Sequence, residues 1–260
     1  MPETPPARPF ALVRRPAASL ADGIVTFLER QPVDTDLADR QWHSYVATLE
    51  RCGFPTIEVP SDDALPDSVF IEDAVVMFGD LALITNPKQP TRNPEIVEAE
   101  KTVRALGLDV AHIQSPATLD GGDVLKVGKT VYVGITGTTN VEGVDQLRAV
   151  IESRGYRVVG VPMRKALHLK SAVTALPDGT VIGYGPVVDD PAVFESFLEV
   201  PEEPGAHVVV LDDVTVLMSS GAPQTAGLLR ERGLRVETVD ISEYEKLEGC
   251  VTCLSVRVRG

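Results

Sequence analysis

The chain repeats one order of hydrophobic and polar segments several times along its length. Each repeat opens with two short apolar runs around a turn signal, which predicts a β-hairpin, and continues into a segment of helical periodicity. The hairpin turns are predicted at Gly79-Asp80, at Gly128-Lys129 and at Pro177-Asp178-Gly179, with a fourth hairpin over 207–220.

Helices and single strands fill the intervals between the hairpins. Asn140 precedes one helical segment at the N-cap position, where its side chain can accept a backbone hydrogen bond. Helices are predicted over about Asp34–Cys52, Pro94–Leu106, Val141–Arg154 and Pro223–Arg232, with a further helix starting near Pro191. Additional strands are predicted at 10–16, Asp109–Ile113, 157–163, 235–242 and 250–258.

The order of hairpin and helix recurs with a period of roughly 35 to 55 residues, which is typical of propellers and repeat arrays. A doubly wound sheet is disfavoured because its crossover connections lack hairpins. We therefore predict an α/β propeller of about five small sheets, with helices outside and strand ends facing a central cleft. No linker divides the chain, so residues 1–260 are predicted to form a single catalytic domain, with a flexible leader over 1–9.

Composition narrows the classes of function. Hydrophobic residues make up 43% of the 260 positions, enough for a substantial core. A formal charge of −14 disfavours binding to nucleic acid or to anionic membranes, and favours a cationic small molecule as ligand. Three cysteines are too few for a disulfide scaffold and fit a reducing, cytoplasmic compartment. The sequence contains neither a long apolar run nor a signal-peptide pattern.

Three strings carry candidate chemistry: LDGGDV at 119–124, LHLKS at 167–171 and EGCVTCLS at 248–255. They contain a carboxylate, a histidine and a thiol. A thiol becomes a strong nucleophile when a neighbouring base or positive charge favours the thiolate, and a buried carboxylate can orient that base. These residue types are the parts of a cysteine hydrolase.

The last string also contains a C-x-x-C motif, formed by Cys250 and Cys253. This spacing occurs in redox pairs and in zinc sites. A redox motif is expected beside a βαβ unit and a helix N-terminus, and a zinc site needs a second C-x-x-C or closely spaced histidines. The sequence indicates neither, so Cys250 is expected to be structural and no metal is expected.

The strings PDSVFIEDAVV, ALIT, ATLDGGDVL, TN, LHLKS and EGCVTCLSV, in this order and at these separations, resemble the dimethylarginine dimethylaminohydrolase family of guanidine-modifying enzymes. The resemblance extends from about Ala11 to Arg259. It implies a five-bladed α/β-propeller of the pentein type and hydrolysis of Nω-methylated arginines to citrulline plus methylamine or dimethylamine. It implies no cofactor, and the expected partner is a cationic guanidine substrate, bound by a monomer or homodimer.

The resemblance assigns a catalytic role to one residue of each string. Cys253 falls on the nucleophile, His168 on the general acid and base, and Asp120 on the carboxylate that orients the histidine. The implied reaction passes through a covalent thiouronium on Cys253. Without the resemblance, a buried core cysteine, a strand histidine and an Asp-Gly-Gly turn are the ordinary interpretations of these residues.

Glu72 and Asp73 are adjacent acids in an apolar segment predicted as a strand, which would point them to opposite faces. Acids are costly there unless they face polar partners, and a carboxylate matches the planar fork of a guanidinium. The resemblance assigns both to the substrate pocket, and Arg92 to the amino-acid end of the substrate. The full set of implied substrate-binding residues is Ile24, Asp67, Phe70, Glu72, Asp73, Arg92 and Leu247.

One position departs from the family pattern. Where related sequences have an arginine that helps to bind the substrate carboxylate, this chain has Thr138, and a neutral hydroxyl does not replace a bidentate cation. Arg92, or another basic group such as Arg164 or Lys165, then binds the carboxylate alone, or the substrate has a different tail. Two other functions stay open: a hydrolase or amidinotransferase for another guanidine such as arginine or agmatine, and a guanidine-binding protein that has lost efficient turnover.

Overall fold

A computed structural model describes residues 9–259, so the predicted leader lies outside the described residues except for Pro9. Residues 9–259 form fifteen strands and five α-helices. The helices are α1 (Thr35–Arg51), α2 (Glu95–Ala105), α3 (Val141–Ile151), α4 (Pro223–Glu231) and α5 (Ser242–Glu245). The strands are β1 (Phe10–Val13), β2 (Thr56–Glu58), β3 (Val75–Phe78), β4 (Leu81–Ile84), β5 (Asp109–His112), β6 (Val124–Val127), β7 (Thr130–Ile135), β8 (Arg157–Pro162), β9 (Val173–Ala175), β10 (Val181–Gly183), β11 (Phe197–Glu199), β12 (Val208–Val210), β13 (Thr215–Ser219), β14 (Arg235–Val239) and β15 (Ser255–Val258).

The strands form five three-stranded sheets, and this confirms the predicted propeller-like α/β fold. In each sheet the middle strand pairs antiparallel with one neighbour and parallel with the other. Four sheets consist of consecutive strands: β3-β4-β5, β6-β7-β8, β9-β10-β11 and β12-β13-β14. The fifth joins both ends of the described chain, because β15 pairs with β1 from Phe10 opposite Val258 onward, and β1 pairs with β2.

Helices α1 to α4 occupy four of the five crossovers that lead to the parallel strand, as the repeat pattern predicted. Asp34 caps α1 by accepting a hydrogen bond from the Leu37 N–H, and Asn140 caps α3 through the Gly143 N–H. Within residues 9–259 no helix is long and apolar enough to cross a membrane.

The helix predicted near Pro191 is wrong. The segment forms one turn of 3-10 helix, Pro191–Val193, and then continues into β11. Phe194 adopts an extended conformation, and its ring packs edge-on against Tyr132 and parallel to Phe197. Aromatic packing and a parallel strand pairing therefore override the weak helical signal of this short segment.

The strand predicted around Glu72 and Asp73 is also wrong. The two acids lie in a turn of 3-10 helix, Ile71–Asp73, and β3 begins only at Val75. Similar turns, Gly121–Asp123 and Leu169–Ser171, precede β6 and β9. The first and second turns contact each other, as do the second and third, so residues from successive repeats meet near the centre of the molecule.

The hydrophobic core is divided among the sheets. Helix α3 illustrates the packing, because Val144, Leu147 and Ile151 lie on one face and are buried in the same cluster as Val131 and Val133 of β7. Burial of a side chain of this size contributes about 1.5 to 3 kcal/mol. The outer helices therefore hold the sheets in place while the strand ends remain available for polar side chains.

Candidate active site

The 3-10 turns lead to a cleft of about 60 Å³. Nine of the ten residues assigned by the resemblance line this cleft: Ile24, Asp67, Phe70, Asp73, Arg92, Asp120, His168, Leu247 and Cys253. The remaining one, Glu72, does not. The cleft is also lined by Thr26, Gln89, Thr138, Leu167, Glu248 and Gly249.

The imidazole of His168 is buried between two carboxylates. Its Nε2 lies 3.2 Å from Asp120 Oδ2, and its Nδ1 lies 3.8 Å from Asp73 Oδ1. Burial alone lowers the pKa of this histidine, but the carboxylates of Asp73, Asp120 and Asp123 outweigh burial and raise the pKa of His168 to about 10. At neutral pH the ring is therefore an imidazolium that can donate a proton.

Gly122 allows His168 and Asp73 to lie close to the backbone of the Gly121–Asp123 turn. Its N–H donates a hydrogen bond of 2.9 Å to Asp73 Oδ1. A Cβ atom at this position would lie 2.5 Å from His168 Nδ1 and 2.8 Å from Asp73 Oδ1. Gly122 is not among the glycines with positive φ, so the D-G-G-D string needs this glycine for close approach rather than for turn geometry.

Arg92 is held by three protein groups. Its Nη1 lies 2.9 Å from Asp73 Oδ2, its Nη2 lies 2.9 Å from Glu95 Oε2, and its Nη2 also donates to the carbonyl of Asp67 at 3.4 Å. Burial alone raises the pKa of Asp73, but the positive charges of His168 and Arg92 lower it below its ordinary value. Asp73 is therefore an ionised carboxylate that joins the histidine to Arg92.

Asp123, the last residue of the second turn, organises a hydroxyl network under the cleft. Its Oδ2 accepts from the hydroxyls of Thr136, Thr138 and Thr139, and its Oδ1 accepts from the Leu169 N–H at 2.9 Å. Burial raises the pKa of Asp123 to about 6. The hydroxyl of Thr138 is thus engaged within the protein.

Cys253 lies in the turn that precedes β15. Its N–H donates to the Cys250 carbonyl at 3.1 Å, and its own carbonyl accepts from the Glu72 N–H at 3.2 Å. The two sulfur atoms of Cys250 and Cys253 are 3.3 Å apart. Hydrogen bonding to Cys253 lowers the pKa of the Cys250 thiol to about 5. The same hydrogen bond, together with burial, raises the pKa of the Cys253 thiol above its ordinary value, so near neutral pH the proton of the pair lies on Cys253.

Glu72 was expected in the substrate pocket, but its carboxylate lies outside the cleft. Its Oε1 pairs with Lys170 Nζ at 2.6 Å and with Arg257 Nη2 at 3.1 Å, and its Oε2 accepts from the Thr252 hydroxyl at 2.8 Å. Glu72 lines a second cavity, together with Lys126. The 3-10 turn sends the two adjacent acids in different directions, and only Asp73 reaches the cleft.

The basic alternatives for carboxylate binding lie elsewhere. Lys165 lines a neighbouring cavity of about 210 Å³, and its Nζ donates to the Val188 carbonyl at 2.9 Å. Arg164 directly precedes Lys165 in the chain, and its backbone N–H donates to Asp189 Oδ2. Neither residue lines the cleft. A different cation, Lys88, is exposed next to Thr138, since its Nζ donates to the Gly137 carbonyl at 2.7 Å.

No feature of the sequence indicated the role of Glu248, which lines the cleft and binds the loop at 26–28. Its carboxylate accepts hydrogen bonds from the backbone N–H groups of Thr26, Phe27 and Leu28 and from the Thr26 hydroxyl. Its backbone has a φ of 62°, which is uncommon outside glycine. These partners are more than 200 positions away in the sequence, so no local signal could have identified them.

Within residues 9–259 no group of three or more His, Cys, Asp or Glu side chains is arranged to hold a metal ion. The polar groups of the cleft are instead paired with one another. The arrangement offers a thiol, an imidazolium and several carboxylates around one small volume, which suits attack on a cationic, planar carbon centre.

Two known proteins match this chain over nearly their whole length. The chain is 57% identical over 249 residues to the N(G),N(G)-dimethylarginine dimethylaminohydrolase of Streptomyces coelicolor, with 96% of each chain covered. It is 35% identical to the protein of the same name from Pseudomonas aeruginosa, over 95% of this chain and 98% of that one. No family model matches the chain.

Solved structures agree with these relatives. A cysteine-to-serine mutant of the Pseudomonas aeruginosa protein, complexed with citrulline, gives a TM-score of 0.88 at 33% identity, over 95% of this chain and 98% of that one. The N-terminal domain of ArgZ, a cyanobacterial arginine dihydrolase, gives 0.87 at 19% identity over 97% and 98% of the two chains, which shows a shared fold. By identity, coverage and fold, the chain belongs to the dimethylarginine dimethylaminohydrolase family.

Proposed function

We propose that this protein hydrolyses Nω-methylated arginines to citrulline and methylamine or dimethylamine through a covalent intermediate on Cys253. The observation that carries the proposal is the placement of His168, between the carboxylates of Asp120 and Asp73, in the same cleft as the Cys253 thiol. The substrate is a small guanidine, and its positive charge matches the excess of carboxylates around the cleft.

The guanidinium group is bound by the acids that line the cleft. Asp73 is ionised and each of its oxygens has one close protein donor, so a second lone pair on each remains able to accept. Asp67 Oδ1 accepts from the Ile24 N–H at 2.9 Å, which orients that carboxylate toward the same volume. Two carboxylates around a planar cation fix both the position and the plane of the carbon to be attacked.

The first chemical step is attack by the Cys253 thiolate on the guanidinium carbon. The bound cation and the imidazolium of His168 both favour the thiolate over the thiol. His168 then gives its proton to the departing methylamine or dimethylamine, since a neutral amine leaves far more easily than an amide anion. The product of this step is an S-alkylthiouronium on Cys253.

The second step is hydrolysis of the thiouronium. His168 has lost its proton and now accepts one from a water molecule, which attacks the same carbon and expels the thiolate. Asp120 supports both halves of the cycle, because its carboxylate holds the ring at 3.2 Å and stabilises the imidazolium each time it forms. The released ureido compound is citrulline.

The amino-acid end of the substrate is bound by Arg92, with Lys88 as a second cation. Most of the Arg92 donors are already committed to Glu95, Asp73 and the Asp67 carbonyl, which leaves one Nη1 N–H for a ligand. Lys88 stands beside Thr138 and, like Arg164 and Lys165, does not itself line the cleft. An exposed lysine is a weaker and less directional partner for a carboxylate than a bidentate arginine.

The test is to measure ureido product from a panel of guanidines: dimethylarginine, monomethylarginine, arginine and agmatine. We expect citrulline from the two methylated arginines, and much slower turnover of arginine and agmatine. Preferential turnover of agmatine would contradict the proposal, because that substrate has no carboxylate. A lack of product from every guanidine, combined with thermal stabilisation by dimethylarginine, would indicate a binding protein instead.

A further inference from the structure

Cys250 is a buried nucleophilic group that the proposed reaction does not use. It is 3% exposed and does not line the cleft, whereas Cys253 is 6% exposed and does. Both are free thiols, and their sulfur atoms are 3.3 Å apart. Cys250 was expected to be structural. The C-x-x-C motif instead places its sulfur in contact with the sulfur of the proposed nucleophile, Cys253.

We propose that Cys250 and Cys253 are a modification site at which a hydroperoxide forms a reversible intramolecular disulfide. A small dithiol reverses the reaction. The disulfide itself depends only on the two sulfur atoms and on access for the oxidant. Its effect on turnover rests on the proposed function, since it removes the nucleophile of that reaction.

The backbone between the two cysteines is already shaped for a disulfide. The hydrogen bond from the Cys253 N–H to the Cys250 carbonyl closes a turn, and the ends of a turn have Cα atoms less than about 7 Å apart. Disulfides need a Cα separation of about 4.4 to 6.8 Å and an S–S bond of about 2.05 Å. The sulfurs start 3.3 Å apart, so rotation of the two side chains brings them into bonding distance without moving the fold.

The exposure of the two thiols sets the order of steps. A hydroperoxide enters the cleft and meets Cys253, whose proton passes to the neighbouring Cys250 sulfur as the Cys253 sulfur attacks one peroxide oxygen. The O–O bond breaks, the departing oxygen takes up that proton and leaves as water or an alcohol, and Cys253 becomes a sulfenic acid. The Cys250 sulfur then attacks the Cys253 sulfur, the S–O bond breaks, and a second water molecule leaves. Two thiols have been oxidised and one peroxide reduced.

The surroundings of Cys250 favour this second step. Its Sγ lies 3.3 Å from the Cys253 sulfur and 3.2 Å from the Thr252 hydroxyl, and hydrogen bonds with these two groups lower the pKa of the Cys250 thiol to about 5, so Cys250 is available as a thiolate. A resolving thiol within van der Waals contact competes with further oxidation of the sulfenic acid, which otherwise leads to irreversible sulfinic and sulfonic acids. The disulfide with Cys250 would thereby prevent irreversible oxidation of Cys253 and also inhibit the enzyme reversibly.

The experiment treats the full chain with hydrogen peroxide, alkylates it under denaturing conditions and maps the peptide over 247–257, which contains both cysteines between Lys246 and Arg257. We expect this peptide to resist alkylation and to be lighter by two hydrogen atoms, and dithiothreitol to restore both thiols. Activity toward dimethylarginine should fall and return in parallel. If the peroxide-treated peptide contains only sulfinic or sulfonic acid, or two intact thiols, the proposal is wrong.

Two matched variants separate the disulfide from general oxidation. In Cys250→Ser, peroxide should inactivate irreversibly, because no resolving thiol is present. Cys52, at the C-terminal end of α1, is more exposed than Cys250 and Cys253. In Cys52→Ser, inactivation should remain reversible as in the wild type. Equal reversibility in Cys250→Ser and the wild type would overturn the proposal. If the disulfide forms but no guanidine is hydrolysed, the modification site stands and the proposed function fails.

Discussion

Asp120 Oδ2 lies 3.2 Å from His168 Nε2, although the two residues are 48 positions apart in the chain. Each of them directly precedes a turn of 3-10 helix that leads into the first strand of a hairpin. The contact therefore joins equivalent positions of successive repeats. A propeller-like ring is a direct way to produce such contacts, because the starts of the inner strands converge.

Asp120→Asn should weaken proton transfer. The amide removes one of the carboxylates that raise the pKa of His168, so the ring should titrate at lower pH and be less well oriented. We expect kcat to fall by roughly 10²-fold or more, within the range of general acid and base catalysis. The pH–rate profile measures the shift, and Asp213→Asn, at an exposed site, is the control. An unchanged profile would exclude the proposed pairing.

Cys253→Ser should abolish turnover without unfolding the protein. A serine hydroxyl is far less ionised than a thiol, and His168, with a pKa of about 10, is protonated at neutral pH and does not serve as a base for the hydroxyl. Under reducing conditions Cys250→Ser should keep most of the wild-type activity, because its sulfur does not line the cleft. Steady-state citrulline release and circular dichroism of both variants check this. Substantial activity in the first variant would rule out covalent catalysis by Cys253.

His168→Gly should trap the covalent intermediate when the leaving group needs no proton. S-methyl-L-thiocitrulline releases methanethiolate, so its amidine carbon can still form the thiouronium adduct with Cys253, but no imidazole remains to activate water. We expect the adduct to accumulate in denaturing mass spectra of this variant and to be absent from the wild type at steady state. The double variant with Cys253→Ser should show none. Equal adduct levels in the single and double variants would disprove the assignment of both residues.

Thr138→Arg should lower KM for dimethylarginine. A charge-assisted contact with the substrate carboxylate is worth about 1.5 to 3 kcal/mol, roughly tenfold or more in binding. The loss of the Thr138 hydroxyl is tolerated, because Asp123 keeps hydrogen bonds from Thr136, Thr139 and Leu169. KM for agmatine should not improve. Weaker binding of dimethylarginine by the variant would show that another group already occupies this space.

The buried His168 should make stability depend on pH. Its folded pKa of about 10 lies above the ordinary value of 6.5, so its stabilising contribution is complete below about pH 6.5 and is lost as the pH rises through about 10. Each unit of pKa difference corresponds to about 1.4 kcal/mol. Urea unfolding at several pH values should show a steeper fall in the free energy of unfolding for the wild type than for His168→Gln. Parallel curves would contradict the raised pKa.

The sequence by itself determined the repeat of hairpins and helices, because alternation, turn residues and caps act over a few positions. The hairpin turns predicted at Gly79, Gly128 and Gly179 are present, each of these glycines has a positive φ, and Asn140 caps α3 as expected. The thiol, the histidine and the carboxylate that we propose for catalysis were likewise visible as strings of distinctive residues.

Only the tertiary structure decided what each polar side chain meets. Glu72 and Asp73 are neighbours with the same chemistry, yet Asp73 reaches His168 while Glu72 pairs with Lys170 and Arg257. Glu248 accepts hydrogen bonds from the backbone of the loop at Thr26 to Leu28, more than 200 positions away in the sequence. Charge pairing and burial depend on residues that are distant in sequence, and for that reason no local pattern could have assigned them.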